Sequence, residues 1–126
     1  MKIDHITLYV SNLDLSMAYY RCLLSQLAFT QVREHIWTDE HGFFFQFAQA
    51  HVGTHPYQRF AAGMNHLGFK AKSVQQVEDI RQFMQTAGFV VPDIQRLGNS
   101  HALFMQDPDG IRFEITCYAE GESVVD

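Results

Sequence analysis

The chain has 126 residues and a mass of 14.5 kDa, with 47% hydrophobic and 18% charged residues. Nine Lys or Arg stand against 14 Asp or Glu, a net charge of −5. A length of this order suits one domain, able to bury about two-thirds of its unfolded surface without disulfide staples. The apolar share excludes a disordered chain, and the acidic balance argues against nucleic acid, because phosphate contacts need clustered cations. No apolar run approaches the ~18 residues that a membrane span requires. Met1-Lys2-Ile3-Asp4-His5 leads directly into patterned sequence without the apolar core of a signal peptide. A cytoplasmic protein with neither a nucleic-acid nor a membrane partner is expected. Cys22 and Cys117 belong to no CxxC motif and read as buried thiols of a reducing compartment. Seven histidines are conspicuous in so charge-poor a chain.

In chain order, residues 4–10 (Asp-His-Ile-Thr-Leu-Tyr-Val) place Ile6, Leu8 and Val10 on one face and His5 on the other. That is the period of a half-buried strand. Ser11-Asn12 supplies a helix cap, and Leu15, Ala18, Tyr19, Cys22 and Leu23 follow at helical spacing, up to an exit at Leu27-Ala28-Phe29. Asp39-Glu40-His41-Gly42 reads as a hairpin turn. Phe43, Phe45 and Phe47 then form the core face of a strand, with Gln46 on the other face. The polar stretch Gln49–Gly63 is a linker.

From there the pattern begins again. Residues 65–71 (Asn-His-Leu-Gly-Phe-Lys-Ala) repeat the first strand, with His66 in the place of His5. Ser73 caps a second helix marked by Val77, Ile80, Met84 and Ala87, which leaves through Ala87-Gly88-Phe89. Asp107-Pro108-Asp109-Gly110 repeats the turn, and Ile111, Phe113 and Ile115 repeat the core face, with Glu114 in the place of Gln46. The fold class read from this is α+β: two βαβββ modules, about 1–48 and about 64–118, joined by a linker of about 49–63. A frayed acidic tail occupies 119–126. The mixed sheets of a single domain are expected to curl around a shared cavity.

A lone histidine on a strand is ordinarily solvated or satisfied by a backbone partner. Here the histidine recurs at the equivalent place, and Glu114 completes a trio on the polar faces. Burying such groups without partners is expensive. A divalent metal resolves the cost, since two imidazoles and a carboxylate make a facial triad with open positions. His5, His66 and Glu114 are the candidate ligands, and Gln46 is a fourth ligand through its amide oxygen or a substrate contact.

If the second hairpin pairs Gln106 with Ile111, then His101 faces the site as an acid–base or neighbouring group. The same register in the first module turns His35 and Trp37 toward the cavity, where Trp37, Tyr9 and Phe44 make an aromatic wall or plain packing. Lys70 and Arg112 share the polar face and suit an anionic substrate, or else simply reach solvent. His41, His51 and His55 are read as surface residues. Cys22 and Cys117 fall on core faces, so no thiol nucleophile is expected.

Asp4-His5-Ile6, Ser16-Met17-Ala18-Tyr19-Tyr20, Asn65-His66-Leu67, and above all Asp107-Pro108-Asp109-Gly110 followed by Glu114, resemble the vicinal oxygen chelate superfamily. That group includes glyoxalase I, fosfomycin-inactivating thiol transferases, extradiol dioxygenases and bleomycin-binding proteins. The resemblance runs from Met1 to Tyr118 and implies paired βαβββ units. It implies metal ligands on the first and last strands of each module, hence His5, Gln46, His66 and Glu114. Gln46 stands where bacterial-type glyoxalases carry a Glu, which leaves Glu114 as the one carboxylate base of the set.

The implied function is that of a metal-dependent enzyme, with glyoxalase I-like lyase or isomerase chemistry through a metal-chelated enediolate-type intermediate as the leading reading. Alternatives are an extradiol-type dioxygenase or a fosfomycin-type thiol transferase. From a different class comes a metal-free drug-binding protein of the bleomycin-resistance kind, against which the His, His, Glu set counts. The implied cofactor is one divalent metal ion per site (Ni, Co, Zn, Mn or Fe), and the partner is a small-molecule substrate. Apolar residues on the outer helices and the resemblance both point to a homodimer, with the site formed within one chain or across two.

Overall fold

The alternation in the first strand and the helical spacing after it produce the expected order of elements twice. In the computed structural model, which describes residues 1–122, the first unit (Met1–Tyr57) contains β1 (His5–Val10), α1 (Leu13–Gln26), β2 (Thr30–Arg33), β3 (Ile36–Thr38) and β4 (Phe44–Gln49). The second, from Gln58 onward, contains β5 (His66–Lys70), α2 (Val74–Thr86), β6 (Gln95–Leu97), β7 (Ser100–Gln106) and β8 (Arg112–Cys117). Each unit forms one four-stranded mixed sheet, in the order β1-β4-β3-β2 or β5-β8-β7-β6. The two strands flanking the long connection pair parallel, β1 with β4 and β5 with β8, and the rest pair antiparallel. No helix of the described residues is long and apolar enough to cross a membrane.

One face of each sheet is covered by its helix. In the first unit Leu8, Val10, Phe45 and Phe47 are buried, and the Tyr20 ring of α1 lies 4.3 Å from that of Phe47. The buried stripe of α1 is Ser16, Met17, Tyr19, Tyr20, Leu23 and Leu24. It is rotated from the expected one: Leu15 is 59% exposed and Ala18 is exposed. Ser16, Tyr20 and Leu24 are all fully buried along the stripe observed. In α2 Val77, Ile80 and Met84 are buried as expected, while Ala87 is the exposed C-cap. Cys22 and Cys117 are free thiols, and both are half-buried rather than buried.

Both helices are capped alike. The Asn12 and Ser73 side chains accept from the backbone N–H three residues on, satisfying one orphan donor each. At the other end Phe29 N–H donates to Leu24 C=O and Phe89 N–H to Met84 C=O, the long bond of a Schellman motif. That motif needs a left-handed residue, which is Gly88 (φ 96°) in one unit and Ala28 (φ 64°) in the other. Alanine in that region is disfavoured by about 1 kcal/mol. Ala28→Gly should therefore stabilise the protein by about 0.5–1 kcal/mol, and Gly88→Ala should destabilise it by a similar amount. Urea midpoints that shift in opposite directions for the two variants are the expected result.

The two hairpin turns are the same structure. Asp39 Oδ1 accepts from His41 N–H and Phe43 N–H, both at 2.9 Å, and Asp107 Oδ1 accepts from Asp109 N–H and Ile111 N–H, both at 2.8 Å. Asp39 N–H donates to Phe43 C=O and Asp107 N–H to Ile111 C=O, each at 2.9 Å. Gly42 and Gly110 then take φ of 85° and 83°, a conformation that side chains resist. The closing pair is thus Asp107 with Ile111, and beyond it Gln106 faces Arg112 rather than Ile111. Of the acidic tail expected to fray, residues 123–126 lie outside the described residues. Up to Glu122 the chain is tied down: Ser100 Oγ donates to Glu122 Oε2 and accepts from Ala119 N–H, both at 3.0 Å.

Candidate functional site

The face of each sheet without a helix carries most of the polar residues singled out in the sequence. In the first unit β1 presents His5, Thr7 and Tyr9 there, and β4 presents Phe44, Gln46 and Ala48. His5 Nδ1–H donates to Asp4 Oδ2 at 2.5 Å, and the His5 ring stacks on Phe44 with centroids 4.7 Å apart and planes inclined by 8°. Gln46, opposite Thr7 and Ile36, is exposed. The exposed Tyr9 meets His51 of the following loop edge-on at 5.4 Å. His41, His51 and His55 are all exposed, as expected.

In the second unit β5 presents His66, Gly68 and Lys70, and β8 presents Arg112, Glu114 and Thr116. His66 Nδ1–H donates to Asn65 Oδ1 at 2.7 Å, and the Asn65 amide is itself oriented by donating from Nδ2 to Arg59 C=O at 3.0 Å. An Nδ1–H held by an acceptor leaves the lone pair of a neutral imidazole on Nε2. His66 Nε2 lies 3.1 Å from Glu114 Oε2, with the side chains 40% and 17% exposed. Thr116 Oγ1 donates to Glu114 Oε1 at 2.7 Å and fixes the carboxylate. Gly68 lies between His66 and Lys70 on β5; a Cβ there would sit 3.7 Å from Glu114 Oε2, so glycine keeps the space beside the carboxylate open. Lys70 Nζ lies 5.9 Å over the Tyr118 ring.

Arg112 stacks over Phe104 at 4.6 Å. Burial holds its guanidinium below the ordinary arginine value, the positive charge of Arg59 adds to that, and Glu114 opposes it.

The observed turn register moves three expected site residues to the other face. Trp37 pairs with Phe45 and is 6% exposed on the side covered by α1. Trp37 and His35 line a cavity there with Asp14, Met17 and Arg21 of α1. His35 takes φ 65° at the turn between β2 and β3. His101 pairs with Cys117, on the same face as Leu103 and Met105. The aspartate-closed loop consumes one more residue than the expected pairing allowed, and in a strand one residue reverses every side chain. Phe104 is therefore the residue opposite Glu114.

Asp4 and Asn65 were missed as functional residues, although each is the polar residue before its histidine in the repeat. Thr116 has a weaker signal, standing two residues from Glu114 on the same face. Arg59 has none, since it lies in the linker.

Within each unit, no three His, Cys, Asp or Glu side chains among the described residues gather into a group able to hold a metal. The second unit does supply two converging donors. His66 Nε2 and Glu114 Oε2 face one another at 3.1 Å, an arrangement that a shared cation would suit. Two ligands bonded at about 2.1 Å and set at a right angle are roughly 3 Å apart, so their spacing fits a shared ion. The hydrogen-bonded Nδ1 of both His5 and His66 is the second support that metal-binding imidazoles ordinarily have.

The model of the Glyoxalase/Bleomycin resistance protein/Dioxygenase superfamily matches residues 2–115. The chain belongs to that superfamily. It is 30% identical over 123 residues to the uncharacterized YqjT protein of Bacillus subtilis strain 168, covering 88% of this chain and 94% of that one. A provisionally assigned glyoxalase from Bacillus halodurans is 26% identical, with a TM-score of 0.77 over 92% of this chain and 95% of the other. The FosX fosfomycin resistance protein of Listeria monocytogenes, 14% identical, shares the fold with a TM-score of 0.71 over 95% of each chain. The superfamily fold is thus the paired βαβββ architecture described above.

Proposed function

We propose that this superfamily member is a divalent-metal-dependent enzyme whose small substrate presents two neighbouring oxygens. A glyoxalase-like lyase or isomerase step is the leading reaction. The observation that carries the reading is the pair His66 Nε2 and Glu114 Oε2, 3.1 Å apart, each held from behind by Asn65 or Thr116. The proposed ligands are His5, His66 and Glu114, with Gln46 as fourth ligand or substrate contact. Drawing them from both modules rests on the sequence repeat, and the reading includes a homodimer in the cytoplasm.

When bound, the metal (Ni, Co, Zn, Mn or Fe) supplies Lewis-acid polarisation of a substrate oxygen. The chain does the rest. Asp4 and Asn65 keep Nδ1 protonated and Nε2 available. Thr116 donates to Glu114 Oε1 and fixes the carboxylate, which leaves Oε2 turned to His66 Nε2. Tyr9 and Phe44 offer aromatic surface on the face that carries Gln46.

Metal analysis of the purified protein after loading with each candidate ion tests the reading, with His5→Ala and His66→Ala as controls. Stoichiometric metal lost in both variants is expected, and no metal under any loading condition would rule the enzyme out. Asn65→Ala should weaken metal binding by about 10- to 100-fold while leaving the ligands in place. Among substrates, hemithioacetal turnover supports the lyase step. Aerobic turnover of catechols alone with Fe(II), or of fosfomycin alone with a thiol, would replace it with dioxygenase or transferase chemistry.

A further inference from the structure

Two arginines of the second unit lack counter-charges. The Nε atoms of Arg59 and Arg112 are both buried, and neither has a hydrogen-bond partner. Among the described residues neither guanidinium forms an ion pair or donates a hydrogen bond. Each instead lies on an aromatic ring, Arg59 4.6 Å over Phe60 and Arg112 4.6 Å over Phe104. The two are close enough to repel one another, and Glu114, the one carboxylate that Arg112 feels, is already held by Thr116 and faces His66. A buried Nε–H without an acceptor is costly, and like charges brought together add to the cost. In a chain of net charge −5, this local excess of positive charge calls for an anion.

We infer that Arg59 and Arg112 clamp an oxyanion of the substrate, a carboxylate or a phosphoryl group, beside His66 and Glu114. The planar fork of a guanidinium matches such a group with parallel N–H···O bonds, and stacking on Phe60 and Phe104 holds each fork in plane. His66 is the direct partner of Arg112 in the β5–β8 register, and Glu114 is two residues along the same face. An anion on the clamp would therefore place the adjoining atoms of the substrate at the two proposed metal donors. Lys70 is set apart from the clamp. It pairs with Thr116, beyond Glu114, and its ammonium sits over Tyr118. The inference rests on the proposed reading only in taking this face as the substrate site.

The test is a titration of the full-length, metal-free protein with acetate, pyruvate, inorganic phosphate and methylphosphonate, with chloride as control. The readout is the arginine Nε–H NMR signals. Saturable shifts at Arg59 and Arg112 are expected, with affinity falling about tenfold or more in Arg59→Gln and in Arg112→Gln. Arg81→Gln should bind unchanged, because Arg81 already pairs with Asp93 at 2.9 Å. Carboxylates alone, phosphoryl compounds alone, or both at the clamp each support it and identify the substrate class. Absence of saturable binding, or an affinity in both variants equal to that of the unchanged protein, overturns it. If Arg112→Gln does not fold, Arg59→Gln and Arg112→Lys decide the question, the latter keeping the charge while losing the fork. Because no metal is present, anion binding without metal uptake would sink the metal reading alone. Metal uptake without anion binding would sink the clamp alone.

Discussion

Asp107→Ala should lower stability by about 3 kcal/mol, which for a chain of this size is a fall in Tm of roughly 10 °C. The Asp107 side chain is part of a residue only 5% exposed, and its Oδ1 takes the N–H groups of Asp109 and Ile111 at 2.8 Å. Hydrogen bonds to a charged acceptor contribute about 1.5–3 kcal/mol each. The two do not simply add. Asp109 lies at the half-exposed tip of the turn and regains water, whereas Ile111 is 3% exposed and its N–H is left with nothing. Asp107→Asn keeps an acceptor and should cost about half as much. Asp39→Ala removes the same two bonds from a less buried turn and should cost about 1 kcal/mol. Urea unfolding with an unchanged m-value is the appropriate measurement. Equal losses in Asp39→Ala and Asp107→Ala would show that burial is not what separates the twin turns.

Glu114→Gln should cut metal affinity by more than about 100-fold, beyond the loss typical of a residue that only supports a ligand. The amide keeps the length of the side chain and still offers an oxygen to Thr116 Oγ1, so the strand pairing has no reason to change. What disappears is the charge facing His66 Nε2 at 3.1 Å. A neutral amide is a weak ligand for a divalent cation, and a 100-fold loss corresponds to about 2.7 kcal/mol. Gln46→Ala should do much less, because Gln46 is already neutral and exposed. Competitive titration against a metal indicator, with circular dichroism to check the fold, measures both. If Gln46→Ala proved as damaging as Glu114→Gln, Glu114 would no longer be the dominant ligand.

The elements of each module were legible because the signals are local. Alternation in Asp4–Val10 and Asn65–Ala71, caps at Asn12 and Ser73, and an aspartate and a glycine at each turn all act within a few residues. The buried face of α1 was less legible. Hydropathy assigned Leu15 and Ala18 to it, but packing chose Ser16 and Met17, although the buried Ser16 Oγ finds no hydrogen-bond partner among the described residues. At the candidate site, the residues on β1, β5 and β8 could be assigned to faces directly. Those across a hairpin could not, because Trp37 and His101 depended on how many residues the turn consumes.

The sequence alone determined that one strand–helix–strands pattern occurs twice, with a histidine heading each copy and Gln46 and Glu114 in equivalent places. Periodicity and turn chemistry are properties of neighbouring residues, so they are written in the chain. Only the tertiary structure decided which side chains share a face across strands. It withdrew Trp37, His35 and His101 to the helix-covered side, brought Glu114 to His66, and set Arg59 against Arg112. Those relations depend on hairpin register and on contacts between distant segments, and no local pattern encodes them. Of the seven histidines in the chain, His5 and His66 are set apart by the polar residue before each one, which holds Nδ1, and His66 turns its Nε2 to Glu114.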